Sequence, residues 1–206
     1  DILFGEGYEL TVKSNLLQKE QFAANEQVTL ERNGKKLEHI RIVGPIRPYT
    51  QVELLEKDNA YFGINAPVRA SGDLENSESM MIIGPNGTYM ANSSVIISNR
   101  HIHMSAEDLK TFNVNNKDIV VVKTKDGILM DNVTIKSDDT CVLEYHMNKD
   151  EAIDLGIENG EPICVSTDRD ISILHKHSRM RLHLMRHDSP LIYHKVLYCQ
   201  CRRNKL

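Results

Sequence analysis

His101 and His103 are the first residues of this 206-residue chain whose type and spacing suggest chemistry. They follow the β-branched run Val95-Ile96-Ile97, so a strand is expected there. Strand side chains alternate, which puts both imidazoles on one face and Ile102 on the other. Two neutral imidazoles on one face are a ready pair of zinc ligands. By spacing alone the pair fits two surface histidines better. His146 shifts the balance. It ends Val142-Leu143-Glu144-Tyr145-His146, which reads as a further strand about one hairpin later. Four of the nine histidines precede residue 171; three are these, and His39 reads as a surface residue. Three imidazoles with an open fourth position are the arrangement of catalytic rather than structural zinc.

A second candidate is Pro67-Val68-Arg69-Ala70-Ser71-Gly72-Asp73-Leu74-Glu75. Gly72 permits a tight turn, and Ser71 and Asp73 supply turn hydrogen bonds. Arg69 could grip phosphate with its forked guanidinium, and Asp73 or Glu75 could ligate a metal. Taken alone, the segment reads better as a polar connection. In Gly44–Glu53, Pro45 and Pro48 exclude a helix; Arg47 could be a second anion contact but reads better as a surface residue. Cys141 and Cys164 fall on apolar strand patterns. They read as buried small hydrophobes, since nothing in the sequence nearby would form a thiolate.

The elements that carry these residues come in two copies. Segments match without gaps at an offset of 93 residues: Val28-Thr29-Leu30 with Val121-Val122-Lys123, Gly34 with Gly127, Ile40-Arg41-Ile42 with Val133-Thr134-Ile135, and Gly63-Ile64 with Gly156-Ile157. Asn33-Gly34 and Asp126-Gly127 sit between β-rich runs, a strong hairpin signal. The alternation of Ile40 with Ile42 and of Val133 with Ile135 is that of half-buried strands. Each copy predicts a small, mostly antiparallel barrel with a short helix near Asn59 or Ala152. Ser105 reads as the N-cap of a short helix through Leu109. The fold class is therefore mostly β, with two small related β-barrel domains and a few short helices. The expected divisions are 1–90, 91–170 and a basic, His-rich tail at 171–206. In the first copy Asp1-Ile2-Leu3-Phe4 takes the place of the helix after Ser105, so a partner strand is expected just before Asp1.

Composition narrows the function classes. Apolar residues make up 40% and charged residues 26%, ordinary for a globular protein. There is no Trp and only 5% aromatic residues, which argues against a base-stacking surface for single-stranded nucleic acid. The tail has eight Lys and Arg against the single acid Asp188, a charge of +7, which leaves −11 on residues 1–170 out of the overall −4. An acidic body that binds an anion needs local positive charge from Arg, Lys or a metal. The four cysteines, Cys141, Cys164, Cys199 and Cys201, form no disulfide framework, and no run approaches the length of a membrane span. A soluble, reducing, cytoplasmic setting is expected.

The chain resembles the PduL-type phosphate propanoyltransferases, the phosphotransacylases of propanediol utilisation. GPIRPYTQVE (44–53), GINAPVRASGDLE (63–75), SNRHIHMSAEDL (98–109) and, more weakly, VLEYHMNKDEA (142–152) carry the likeness, which runs from Asp1 to about Val165. The resemblance implies two β-barrels, two zinc ions, and conversion of acyl-CoA and inorganic phosphate to acyl phosphate and free CoA. It makes His101, His103 and His146 ligands of one zinc, Glu75 a ligand of the other, and Arg69 the catalytic, phosphate-binding residue. Coenzyme A is then a substrate, propanoyl and acetyl chains are both open, and the CoA-binding residues are not assigned. Zinc would neutralise phosphate charge and polarise the thioester carbonyl. The implied partners are acyl-CoA and phosphate, a homo-oligomer, and microcompartment shell or lumen enzymes, with no membrane and no nucleic acid. The setting is the cytoplasm or a bacterial microcompartment within it.

Family members also have an Asn-Arg-His-x-His segment that is expected to precede Asp1 and to ligate the second metal. Nothing of the family matches residues 171–206. There His183, His187, Cys199 and Cys201 could form a makeshift zinc site, but a poorly ordered extension fits better. Three alternatives stand beside the acyltransferase: a zinc-dependent thioester hydrolase, an inactive or truncated family member that only binds metal or CoA, and a module whose basic tail contacts nucleic acid or an acidic partner.

Overall fold

The computed structural model describes residues 1–166, 179–181 and 196–198. It is mostly strand with a few short helices, as the patterning requires. The chain divides into two compact units.

Asp1–Ser98 holds β1 (Val12–Asn15), β2 (Phe22–Arg32), β3 (Lys35–Gly44), β4 (Gln51–Leu54), α1 (Glu56–Phe62), β5 (Val68–Arg69), β6 (Glu78–Ile83) and β7 (Thr88–Ser98). From Asn99 the second unit adds β8 (His101–His103), α2 (Ala106–Phe112), β9 (Ile119–Thr124), β10 (Leu129–Lys136), β11 (Glu144–His146), α3 (Lys149–Asp154), β12 (Pro162–Ser166) and β13 (Arg179–Arg181). A last strand, β14 (Val196–Tyr198), returns to the first unit. β7 runs through residue 90, where the sequence reading divides the chain, and stays with the first unit because β4, β5 and β6 all pair with it. The expectations for the tail, including His183, His187, Cys199 and Cys201, fall outside the described residues apart from the short strands β13 and β14. No helix among the described residues is long and apolar enough to cross a membrane.

The first hairpin follows from its turn. Arg32 pairs with Lys35, so Asn33-Gly34 alone make the connection, at φ +52° and +73°. Positive φ at both central residues gives the turn whose twist matches the strands. Pairing in this unit runs in a circuit, β2 to β3, β14, β4, β7, β6 and back to β2. Leu30, Ile40, Ile42, Val52, Met80, Ile82 and Val95 fill its interior. Each such side chain contributes roughly 1.5–3 kcal/mol by leaving water.

The second sheet has the order β11-β8-β10-β9-β12-β13 over a core that includes Ile102, Val122, Val133, Ile135 and Tyr145. Its hairpin is looser, since Gly127 at φ +87° sits in a longer connection closed by the Gly127 amide donating to the Thr124 carbonyl. The repeat extends to pairing. β8 runs parallel to β10 and antiparallel to β11, with Ile102 opposite Ile135 and Tyr145. β14 runs parallel to β3 and antiparallel to β4, with Leu197 opposite Ile42 and Val52. Ile42 and Val52 precede Ile135 and Tyr145 by the repeat offset, so the two short strands occupy equivalent slots.

The helices sit where the sequence puts them. Asn59 lies in α1 and Ala152 in α3. The Ser105 hydroxyl accepts from the Asp108 amide while the Asp108 carboxylate accepts from the Ser105 amide, a reciprocal cap on α2 directly after β8. Ser105→Ala is expected to lower the stability of the metal-free protein by about 1 kcal/mol. Urea unfolding of the two proteins side by side checks it, and overlapping curves would show that the cap contributes nothing.

Candidate functional site

β8 and β11 are neighbouring antiparallel strands, with His146 opposite His101 and Glu144 opposite His103. The alternate residues, Ile102 and Tyr145, are fully buried in the core, so the histidines take the other face. Ring centroids are 4.9 Å apart for His101 and His103, 4.9 Å for His101 and His146, and 4.7 Å for His103 and His146. The three rings thus make a near-equilateral triangle, and one ring nitrogen from each lies within 4.8 Å of the others. All three side chains are buried. The residues singled out by spacing converge, and they are not surface histidines.

Neighbouring groups orient the rings. The Asn99 carbonyl accepts from His101 Nδ1 at 2.9 Å, which leaves the lone pair on Nε2. That Nε2 lies 3.2 Å from His103 Nε2. Two nitrogens on one tetrahedral zinc, at bonds of about 2.05 Å, would be about 3.3 Å apart. His103 Nδ1 contacts the Cys141 sulfur at 3.3 Å. Neither nitrogen of His146 has a hydrogen bond, although both are buried. Glu144 Oε2 approaches His146 Nε2 to 2.6 Å without hydrogen-bond alignment. A buried imidazole with no hydrogen-bond partner, in a set of three, is a donor set suited to a metal ion.

Electrostatics favour the ligating form. Burial, reinforced by the nearby His146, pulls His101 from an ordinary 6.5 down to about 3, so its ring is neutral at pH 7. Between those values the unfolded chain binds a proton that the folded site refuses. The stabilisation is complete above pH 6.5 and is lost as the pH falls toward 3. Metal-free protein is therefore expected to lose on the order of 2 kcal/mol between pH 7 and pH 5 from this ring, and His101→Gln to lose much less. Chemical unfolding at the two pH values measures the difference. Equal losses in both proteins would mean that His101 is not held neutral.

Arg100 anchors the start of β8. Its guanidinium binds the Glu151 carboxylate of α3 and donates to the Asp131 carbonyl at 2.9 Å. Burial alone would lower its pKa, but the hydrogen bond and charge of Glu151 raise it on balance. Cys141 is buried as expected, with burial pushing its thiol up. It lies in the connection between β10 and β11 rather than on a strand, because its amide closes a turn on the Asp138 carbonyl.

Arg69 and Glu75 lie in the first unit. Arg69 ends β5, is half-exposed, and donates to Asp73 at 3.0 Å. Glu75 is exposed in the turn beyond. The connection between them is held from below. Gln51 of β4, fully buried, donates to Ser71 Oγ at 2.9 Å and to Glu53 at 2.7 Å, and accepts from the Gly72 amide at 2.7 Å. Gly72 sits at φ +91°, where a side chain would strain the backbone. His39 is exposed, contacting Gln27 at 3.2 Å.

Sequence reasoning assigned no role to Glu144, Gln51 or Arg100, and read Cys141 as a buried small hydrophobe without its contact to His103. Glu144 was within reach, since it stands two residues before His146 on one strand. Gln51 and Glu53 precede Glu144 and His146 by the repeat offset, which also marked them.

The sequence profile of phosphate propanoyltransferase matches residues 1–158, a span that includes Arg69, Glu75 and all three buried histidines. The chain belongs to the phosphate propanoyltransferase family. Among relatives so named, one from Thermotoga maritima is 40% identical over 168 residues, covering 80% of each chain. One from Lachnoclostridium phytofermentans is 40% identical, over 79% of this chain and 78% of its own. One from Escherichia fergusonii is 37% identical, over 77% of this chain and 76% of its own. The phosphate propanoyltransferase match ends before the basic tail.

Proposed function

We propose that this protein is a phosphate acyltransferase that converts propanoyl-CoA or acetyl-CoA and inorganic phosphate to acyl phosphate and CoA, with zinc bound by His101, His103 and His146. The triangle of buried imidazoles carries the metal part of this reading, and the family carries the reaction class.

In this reading a phosphate oxygen attacks the thioester carbonyl carbon, the carbon–sulfur bond breaks, and CoA leaves as a thiolate. Bound zinc supplies charge neutralisation and Lewis acidity. The remaining steps belong to the chain. Arg69 clamps phosphate through paired N–H donors and orients it for attack, an entropic contribution as much as an electrostatic one. Its existing partner, Asp73, is half-exposed, so an exchange of carboxylate for phosphate costs little. Gln51 holds the Ser71-Gly72 backbone and with it the approach to Arg69. Asn99 fixes the His101 tautomer, and burial keeps that ring unprotonated. Glu75 is assigned to a second zinc; among the described residues the trihistidine set is the one grouping of three or more donors suited to an ion.

Purified protein with propanoyl-CoA, assayed for CoA release with and without phosphate and for zinc on the same sample, tests the proposal. Release that requires phosphate, with zinc bound, supports it. Release of equal rate without phosphate would make the protein a thioester hydrolase. Zinc without release under either condition would leave a metal-binding module.

A further inference from the structure

We infer that Cys141 is the positioning residue of His103: its sulfur accepts a hydrogen bond from His103 Nδ1, which leaves the lone pair of that ring on Nε2, where the other histidines converge. The inference rests on the trihistidine reading and goes beyond it by naming what holds the second ring.

The chain builds this contact locally. Cys141 lies in the connection from β10 to β11, and β8, which carries His103, pairs with both strands. The connection closes on Asp138. Its carbonyl accepts from the Cys141 amide at 3.2 Å, and its Oδ1 accepts from the Thr140 amide at 2.8 Å and the Thr140 hydroxyl at 2.6 Å. The turn thereby buries Cys141, 4% exposed, with its sulfur 3.3 Å from His103 Nδ1.

A thiol beside a neutral imidazole can bond in either direction. If the S–H donated to Nδ1, the ring proton would sit on Nε2, and that nitrogen could not ligate. Asp138 decides between the two. The Cys141 thiol also hydrogen-bonds to the Asp138 side chain. An ionised carboxylate only accepts, so the S–H is directed there and the sulfur lone pairs are left to His103 Nδ1–H.

The neighbouring ring is held in the same way by a different group, the Asn99 carbonyl, which accepts from His101 Nδ1 at 2.9 Å. With both Nδ1 atoms acting as donors, the two Nε2 atoms are both acceptors. They stand 3.2 Å apart and cannot bond each other in these tautomers. A cation between them satisfies both. Outer partners of this kind fix the tautomer and orientation of metal-ligating histidines, and their loss typically weakens metal binding about 10–100-fold.

The experiment uses the full chain, as wild type, Cys141→Ser, Cys141→Val and His101→Ala. Serine keeps a group that donates and accepts, whereas valine fills the space and does neither. Long-range proton–nitrogen NMR of each metal-free protein reads the His103 tautomer. Zinc affinity is read by competition with a chromophoric chelator, and bound cobalt(II) reports by its absorption whether sulfur touches the metal. The expected result is an Nδ1–H tautomer of His103 in wild type and Cys141→Ser, with zinc affinities within about threefold of each other. Cys141→Val should show mixed tautomers and zinc affinity at least about tenfold weaker. Wild-type tautomer and affinity in Cys141→Val, with binding lost in His101→Ala, would overturn the role of Cys141 and leave the trihistidine site standing. So would a loss in Cys141→Ser that valine restores, which is the pattern of packing alone. An intense sulfur-to-cobalt band in wild type would make Cys141 a ligand and overturn its positioning role. Wild-type protein that binds neither zinc nor cobalt would overturn the trihistidine reading and the inference with it. If thermal unfolding shows that Cys141→Val does not fold, the wild-type tautomer decides: Nδ1–H supports the inference and Nε2–H refutes it.

Discussion

His101→Ala is expected to lose zinc and phosphate-dependent CoA release together, with zinc affinity down by at least a hundredfold. The ring contributes one corner of a triangle with centroids under 5 Å apart, and its Nε2 faces His103 Nε2 at 3.2 Å. A methyl group reaches none of that, and a neighbouring water cannot be pre-oriented as the Asn99 carbonyl orients this ring. Two imidazoles of different strands then remain, a set that holds zinc much less firmly than three. The fold itself should survive, because the core lies on the other face of β8, under Ile102. The apo protein should even lose part of its sensitivity to acid, since the ring that resists protonation is gone. Elemental analysis for zinc and the phosphate-dependence assay on one preparation read both effects. His39→Ala, at an exposed position, is the control and should change neither. Wild-type zinc and rate in His101→Ala would remove the buried histidines from the mechanism.

Arg69→Ala should behave differently, retaining zinc while the KM for phosphate rises about a hundredfold. A bidentate guanidinium–phosphate contact is a pair of charge-assisted hydrogen bonds, and loss of such a group at a reacting anion typically costs 10²–10³ in rate or apparent affinity. Arg69→Lys should recover only part of this, since an ammonium is a point charge without the fork. Removal of Arg69 exposes no core, because the side chain is already half-solvated and its pairing with Asp73 is worth under about 1 kcal/mol. Gln51→Leu gives a milder version through position alone. It severs the links to Ser71 and Gly72, so the KM for phosphate should rise about tenfold while KM for acyl-CoA stays within twofold. Initial rates over a phosphate series, at saturating acyl-CoA, separate these cases. An unchanged phosphate dependence in Arg69→Ala would refute its assignment to phosphate.

The candidate site was legible in the sequence where it depended on local geometry. A spacing of two on a strand puts His101 and His103 on one face whatever surrounds them, and the structure has them so. Asn33-Gly34 could make one tight turn, and makes it. Ser105 followed three residues later by Asp108 was a cap, and is one. The repeat offset also held from sequence into pairing, because equal spacing of hairpin, strand and helix leaves each unit the same way to close its sheet.

Other features depended on residues far apart in sequence. Nothing in the order of residues said that His146 would stand opposite His101 rather than Ile102, where a slip of one residue would turn it to the core. That register is set by which side chains the core accepts, and Tyr145 and Ile102 fill it. The contact between Cys141 and His103 comes from a turn that no strand pattern foretold. The neutrality of His101 likewise belongs to burial, which depends on every element packed over it. By itself, then, the sequence determined the donors, their faces and their repeat. Tertiary structure decided that they converge, that His101 stays uncharged, and that a carboxylate stands among their neighbours, because convergence and desolvation arise only when distant segments share one core.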